Sequence, residues 1–133
     1  MKFTGYTYPI EKTSKGFFPG TDDVTQIKSD LLILLLTNLG ERVCLPEYGT
    51  ALNQFFFEPN DAVLELQVKN EVVRAISRWE PRVIIEDIEV KAGIDNTYTI
   101  SSSEIGNDHV LGIRINFRDP DNISQIQELV LNV

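Results

Sequence analysis

Residues 61–90 read DAVLELQVKNEVVRAISRWEPRVIIEDIEV, and the change of period inside this stretch decides the fold. Up to Trp79, apolar residues recur at helical spacing: Leu64, Val68, Val72, Ala75, Ile76 and Trp79 share one face. Asn60 or Asp61 supplies the N-cap oxygen. Glu71, Arg74 and Arg78 lie on another face at spacings that allow weak ion pairs. Pro81 stops the helix at about Trp79, because the residue before a proline is pushed out of the α region. From Val83 to Val90 β-branched residues dominate and the pattern is that of a strand.

Upstream, Thr21-Asp22-Asp23 offers N-cap oxygens and acids for the positive end of a first helix. Val24, Ile27, Leu31, Leu34, Leu35 and Asn38 fall on one helical face. Leu32, Ile33 and Leu36 fall outside it, so this helix is expected to be covered on more than one side, in a chain this short by another subunit. Leu39-Gly40 is the expected helix end, with Gly40 as the left-handed residue. Glu41 to Asn60 holds Pro46, Pro59 and Phe55-Phe56-Phe57, which reads as a structured connection that buries at least one ring between the helices. Met1 to Gly20 reads as an extended leader whose Tyr6, Tyr8, Phe17 and Phe18 either pad the core or dock on a partner.

Downstream, Gly93 to Asn96 is a turn, Thr97 to Ser102 a short strand, and Gly106-Asn107-Asp108 another turn. His109 to Phe117 alternates as a strand, and Asp119-Pro120-Asp121-Asn122 breaks the chain. The tail carries both periods, since Ile126, Leu129, Val130 and Val133 also sit at helical spacing; a final strand over Glu128 to Asn132 is the favoured reading. The expected fold is α+β: two helices followed by a small antiparallel sheet, with residues 1–20 as leader and 21–133 as one domain.

The chain has 133 residues, 42% hydrophobic and 24% charged, which suits one globular domain and rules against wholesale disorder. Lys and Arg total 12 against 20 Asp and Glu, a net charge of −8. That balance argues against nucleic-acid and membrane-surface binding, both of which need clustered cations. The acid excess lies mostly after residue 60, and complementary charge there would help select basic partner arms. The lone Cys44 rules out an intramolecular disulfide, and with the lone His109 it rules out a zinc site of Cys and His. Val43 and Leu45 on either side lead us to expect Cys44 to be buried. No D-x-D-x-D-G calcium loop occurs. The N-terminus does not have the pattern of a signal peptide, and the longest apolar run, Leu31 to Leu36, is far short of the roughly 20 residues of a membrane span. A soluble protein that starts life inside the cell is expected.

Enzymatic readings find little footing. Glu47, Glu58 and Glu80 are the carboxylates at element ends, but Glu80 has Arg82 beside it, the wrong neighbour for a general acid. Ser101 to Ser103 lie outside any G-x-S-x-G elbow, His109 is a lone strand-start histidine, and no glycine-rich phosphate loop is present. No catalytic residue, cofactor or metal ligand is assigned. Arg42 and Arg82 are the distinctive groups: planar forks that pair internally with Glu47 or Glu80 or cap helix carbonyls, or else dock a partner.

Those two connections carry a resemblance. Ile27-Lys28-Ser29-Asp30-Leu31-Leu32, Thr37-Asn38-Leu39-Gly40-Glu41-Arg42, Pro46-Glu47-Tyr48-Gly49, Phe57-Glu58 and Ala75-Ile76-Ser77-Arg78-Trp79-Glu80-Pro81-Arg82-Val83 resemble the baseplate wedge and sheath-initiator family of contractile phage tails, with relatives in type VI secretion baseplates. Ile113 to Phe117 and Asp121 to Ile126 extend the likeness toward the C-terminus. The resemblance implies a structural virion protein of the tail baseplate, assembled in the host cytoplasm, with a domain similar to the inner handshake domain of tail sheath proteins. It implies other wedge subunits with their helical core bundle and the tail sheath protein as partners, with tail tube or hub proteins as further candidates. Glu80, Pro81 and Arg82 are the partner-binding residues it implies, and Arg42 and Glu47 join them as candidates. The sheet would complete itself with neighbours' arms by β-augmentation, at Thr97 to Ser102 or at the C-terminal strand. Family members have sometimes carried a lysozyme-like label, so a peptidoglycan hydrolase is the rival reading and a generic oligomeric adaptor the third.

Overall fold

The computed structural model describes residues 5–10, 12, 14, 16, 18, 20, 23–59, 61–92, 111–119 and 122–132. In chain order these form helix α1 (Asp23–Leu36), a short 3-10 helix (Leu52–Phe57), helix α2 (Ala62–Trp79) and strands β1 (Ile84–Ala92), β2 (Leu111–Asp119) and β3 (Asn122–Asn132). The expected strand at Thr97 to Ser102, its flanking turns and His109 lie outside the described residues.

Helix α2 begins where its cap demands. Asp61 is extended (φ −132°, ψ 172°) and its carboxylate accepts from the Leu64 N–H at 2.8 Å. Such a cap is worth about 1 kcal/mol. Leu64, Val68, Val72, Ala75 and Ile76 are buried, as the stripe requires. The Glu80 N–H makes the last helical bond, to Ile76 O at 2.8 Å, and Pro81 then ends the helix. Glu80 O accepts from the Val83 N–H at 3.2 Å, so residues 80–83 form a tight turn that feeds directly into β1.

The sheet has the order β1-β2-β3, both pairs antiparallel. Ala92 pairs with Leu111 at one end of the β1/β2 ladder, and a bulge interrupts it between Ile85 and Asp87. Leu111, Ile113, Ile115 and Phe117 of β2 face inward with Ile88 and Val90 of β1 and Leu129 and Leu131 of β3. They meet Ile27, Leu31, Leu34 and Leu35 of α1, Leu52 and the α2 stripe in one core. Burying Phe117 completely contributes about 2–3 kcal/mol, as does each large aliphatic side chain beside it. The opposite sheet face is charged: Arg114 lies between Glu89 (3.8 Å) and Glu128 (2.9 Å), and Arg118 beside Glu86 (3.2 Å).

Three expectations need correction: the end of α1, the start of β3 and the burial of Cys44. Helix α1 ends at Leu36 rather than Leu39, because Asn38 leaves the helix to bridge Thr50. Gly40 does take φ +84°, but inside the following loop. Strand β3 starts six residues earlier than expected, at Asn122, as the return arm of a hairpin with β2. The connection before α2 contains a 3-10 helix; its Phe55 packs against the core, in line with the expected buried ring, while Phe57 is 92% exposed. Cys44 is exposed, because the loop carrying it points outward and leaves Val43 97% exposed. In the leader, Tyr6, Tyr8 and Phe18 stay outside the core, Tyr6 meeting Phe18 edge to face at 6.0 Å. On α1, Leu32 and Ile33 are half-buried and Leu36 is exposed.

Candidate functional site

The site is built where the C-terminus of α2 meets the loop 37–51. That loop is fastened at its base. Thr37 O accepts from the Thr50 N–H at 2.9 Å, and Thr50 O accepts from the Leu39 N–H at 3.1 Å. The Thr50 hydroxyl, fully buried, donates to Leu35 O at 3.0 Å and so satisfies a carbonyl orphaned at the end of α1. One residue on, Ala51 N–H donates to the Glu71 carboxylate of α2 at 2.9 Å, and Arg74 holds the same carboxylate at 2.6–2.8 Å. Arg74 chiefly, with Ala51, keeps the Glu71 carboxyl below the ordinary carboxylate range, against the opposing effect of burial.

The turn after α2 is tied to the first helix. Arg82 Nε donates to Glu80 Oε1 at 2.5 Å, and its guanidinium also reaches Glu80 Oε2 (2.8 Å) and Asp30 Oδ2 of α1 (2.6 Å). Glu80 is 7% exposed, so its charge is tolerable only with this partner. These contacts hold Arg82 firmly protonated, the Glu80 hydrogen bond most of all. Pro81 sits exposed at the apex between the two.

Beside the turn runs a stack of rings and cations. Trp79 meets Tyr48 edge to face at 5.3 Å, the Arg42 guanidinium lies 3.9 Å over the Tyr48 ring, and Arg78 lies 5.1 Å from Trp79. Arg78 also pairs with Glu47. Burial pushes the Tyr48 hydroxyl up from its usual range, with Arg42 opposing and Asp30 and Glu80 adding to the rise, which places Tyr48 within electrostatic reach of both clusters. The five residues singled out from sequence therefore gather around the C-terminus of α2, with Glu80 buried beneath the others. Their pairing differs in one respect from expectation: Arg42 stacks on Tyr48 and Glu47 pairs with Arg78, rather than the two with each other. Asp30, Tyr48, Trp79 and Arg78 complete the group. Asp30 escaped the sequence reading because its partner is 52 residues away along the chain.

The arrangement suits docking better than turnover. Both oxygens of Glu80 accept from Arg82, and the side chain is buried, so neither oxygen is presented to a substrate. Glu47 is exposed and paired, and Glu58 is exposed on the loop before α2. Among the described residues no group of three His, Cys, Asp or Glu side chains could hold a metal ion. No described helix is long and apolar enough to cross a membrane.

Compared with known families, residues 21–117 match the model of the family described as baseplate wedge protein gp25. Baseplate protein W of Escherichia phage P2 is 30% identical over 86 residues, spanning 65% of this chain and 75% of that protein. Among solved structures, the chain resembles one in the anti-feeding prophage baseplate, with TM-score 0.64 and 18% identity, covering 98% of this chain and 84% of the other. A chain of the post-contraction pyocin R2 baseplate gives TM-score 0.58 and 21% identity, covering 98% and 97%. A Geobacter sulfurreducens protein named as a tail lysozyme gives TM-score 0.65 and 23% identity, covering 80% and 86%. At these identities the structural likenesses speak for the fold alone.

Proposed function

Because this chain belongs to the baseplate wedge protein gp25 family, and so is a structural wedge component of a contractile phage tail baseplate, we propose that its Glu80-Pro81-Arg82 turn docks on the other wedge subunits and that its sheet starts the sheath. The observation that carries the docking reading is the clamp of Arg82 on Glu80 and Asp30. It ties the exposed proline after the end of α2 to the middle of α1, so the turn meets a partner without losing conformational freedom, which lowers the cost of association. The Arg42, Tyr48, Trp79 and Arg78 stack beside it adds residue types enriched where proteins bind each other. The protein acts by binding and has no catalytic turnover.

The sheath reading rests on the sheet edges. Among the described residues β1 and β3 each have one strand neighbour. Strand β3 carries exposed Ile123, Ile126 and Val130 along its length, an apolar surface for an added strand. The tail sheath protein is the partner proposed there, with its extended arm continuing the β1-β2-β3 order.

The two halves are tested separately. Arg82→Ala, confirmed folded by circular dichroism, should fail to co-purify with co-expressed wedge subunits; Arg42→Ala, which removes only a stacked surface cation, should weaken but not abolish that co-purification. Unchanged recovery of both would refute the docking face. Electron microscopy of tails assembled without this protein should show tubes lacking sheath, and sheathed tubes of normal length would refute the initiator role. A turbidity assay on cell walls should show no lysis by the purified protein.

A further inference from the structure

Helix α2 carries a second, partly exposed stripe besides the one it buries in the core. Val63, Leu66, Asn70, Val73 and Ser77 repeat at alternating spacings of three and four, the a/d pattern of a coiled-coil seam. This stripe lies on the side of α2 opposite Leu64, Val68, Val72 and Ala75. Val63 is 60% exposed, Leu66 59% and Val73 37%, with Asn70 exposed between them and Ser77 exposed beyond. A surface helix needs one buried stripe; a second with heptad spacing suits another helix.

The flanks select the occupant. In this heptad Lys69 takes a g position and Arg74 an e position. In a parallel pairing of two copies Lys69 would oppose Arg74 of the second copy, and in an antiparallel pairing each would oppose its own equivalent. Both arrangements set cation against cation, so the seam is poorly suited to self-association. Each cation has an internal acid, Glu71 for Arg74 at 2.6 Å and Asp87 for Lys69 at 3.7 Å, yet Arg74 and Lys69 keep side-chain exposures of 42% and 44%. Asn70 at a central a position adds a polar register pin.

We propose that this face of α2 docks one helix of a different subunit, an amphipathic helix with Asp or Glu flanking its apolar seam. The seam is two heptads long, so it adds to a larger assembly contact rather than forming a free-standing coiled coil. The inference rests on the wedge reading only for the source of the helix. It concerns a surface distinct from the Glu80-Pro81-Arg82 turn, so the two stand or fall separately.

The test uses the full chain and a fluorescein-labelled synthetic helix of about 21 residues, with Leu at a and d, one central Asn at a, and Glu at e and g. A twin probe carries Lys at e and g. The acidic probe should bind about ten-fold or more tightly than its twin by fluorescence anisotropy. Leu66→Lys with Val73→Lys should abolish binding while far-UV circular dichroism and melting temperature stay those of the parent, and Arg82→Ala should leave binding intact. Equal affinity for the two probes, no binding of the acidic probe, or binding that survives Leu66→Lys with Val73→Lys would overturn the proposal. So would sedimentation showing a dimer that this double variant converts to monomer, which would put a second copy on the seam.

Discussion

Gly49 shows how much one position can demand. Its φ is +113°, and a Cβ there would lie 2.3 Å from the carbonyl oxygen of Thr37, a backbone atom held by the Thr50 bridge. Gly49→Ala should cost about 3 kcal/mol, read as a melting temperature lowered by roughly 10 °C. Gly40 also has positive φ, +84°, but open space where its Cβ would go. Gly40→Ala should therefore cost only about 1 kcal/mol, and equal losses in the two variants would contradict this account. Arg82 makes the same kind of point through charge. Arg82→Ala leaves the buried Glu80 carboxylate without its cation, at a cost of about 3 kcal/mol in chemical denaturation. Adding Glu80→Gln should restore part of that loss, since a neutral amide is less costly to bury than an unpaired charge. From sequence, the Glu80–Arg82 pair was legible because the two are neighbours. The Asp30 contact was not, because no local pattern announces a bond between the middle of α1 and the turn after α2.

Among the elements, α2 was the most legible. Its cap, its stripe and its stop are all local, written in Asp61, the spacing of Leu64 to Ile76, and Pro81. The end of α1 depends instead on Thr50, thirteen residues beyond Thr37, so its local pattern ran on past the true boundary. The sequence understates strand β3 because Ser124, Gln125 and Gln127 lack an apolar alternation; pairing with β2 supplies what their propensity does not. Flanking Val43 and Leu45 argue for burial of Cys44, whereas the loop closes on its own backbone bonds and turns Cys44 outward. Glu71 links α2 to the start of the 3-10 helix and makes the junction pH-dependent. Its folded pKa lies below the ordinary value of 4.5, so between the two values the unfolded chain binds more protons than the folded one. Its contribution is complete above about pH 4.5 and lost as pH falls through the folded value. Glu71→Gln should flatten the acid limb of stability measured by urea denaturation from pH 6 downward, and an unchanged slope would assign that limb elsewhere.

For the molecule as a whole, the division into two helices and an antiparallel sheet followed from the switch of period at Pro81. What the sheet meets does not follow from periodicity. The ladder between β1 and β2 ends on the pair Ala92 and Leu111, the described residues on either side of the connection 93–110. Closing a longer loop between fixed ends costs little, about 0.6 kcal/mol for each doubling of length. A short epitope or a fluorophore-binding tag inserted in that connection should thus lower the melting temperature by only a few degrees. The same tag inserted between Asp119 and Asn122, where the hairpin register is set, should disrupt the sheet. The strand pairing thereby offers a handle: a labelled subunit that still assembles would let the copies in single particles be counted by light.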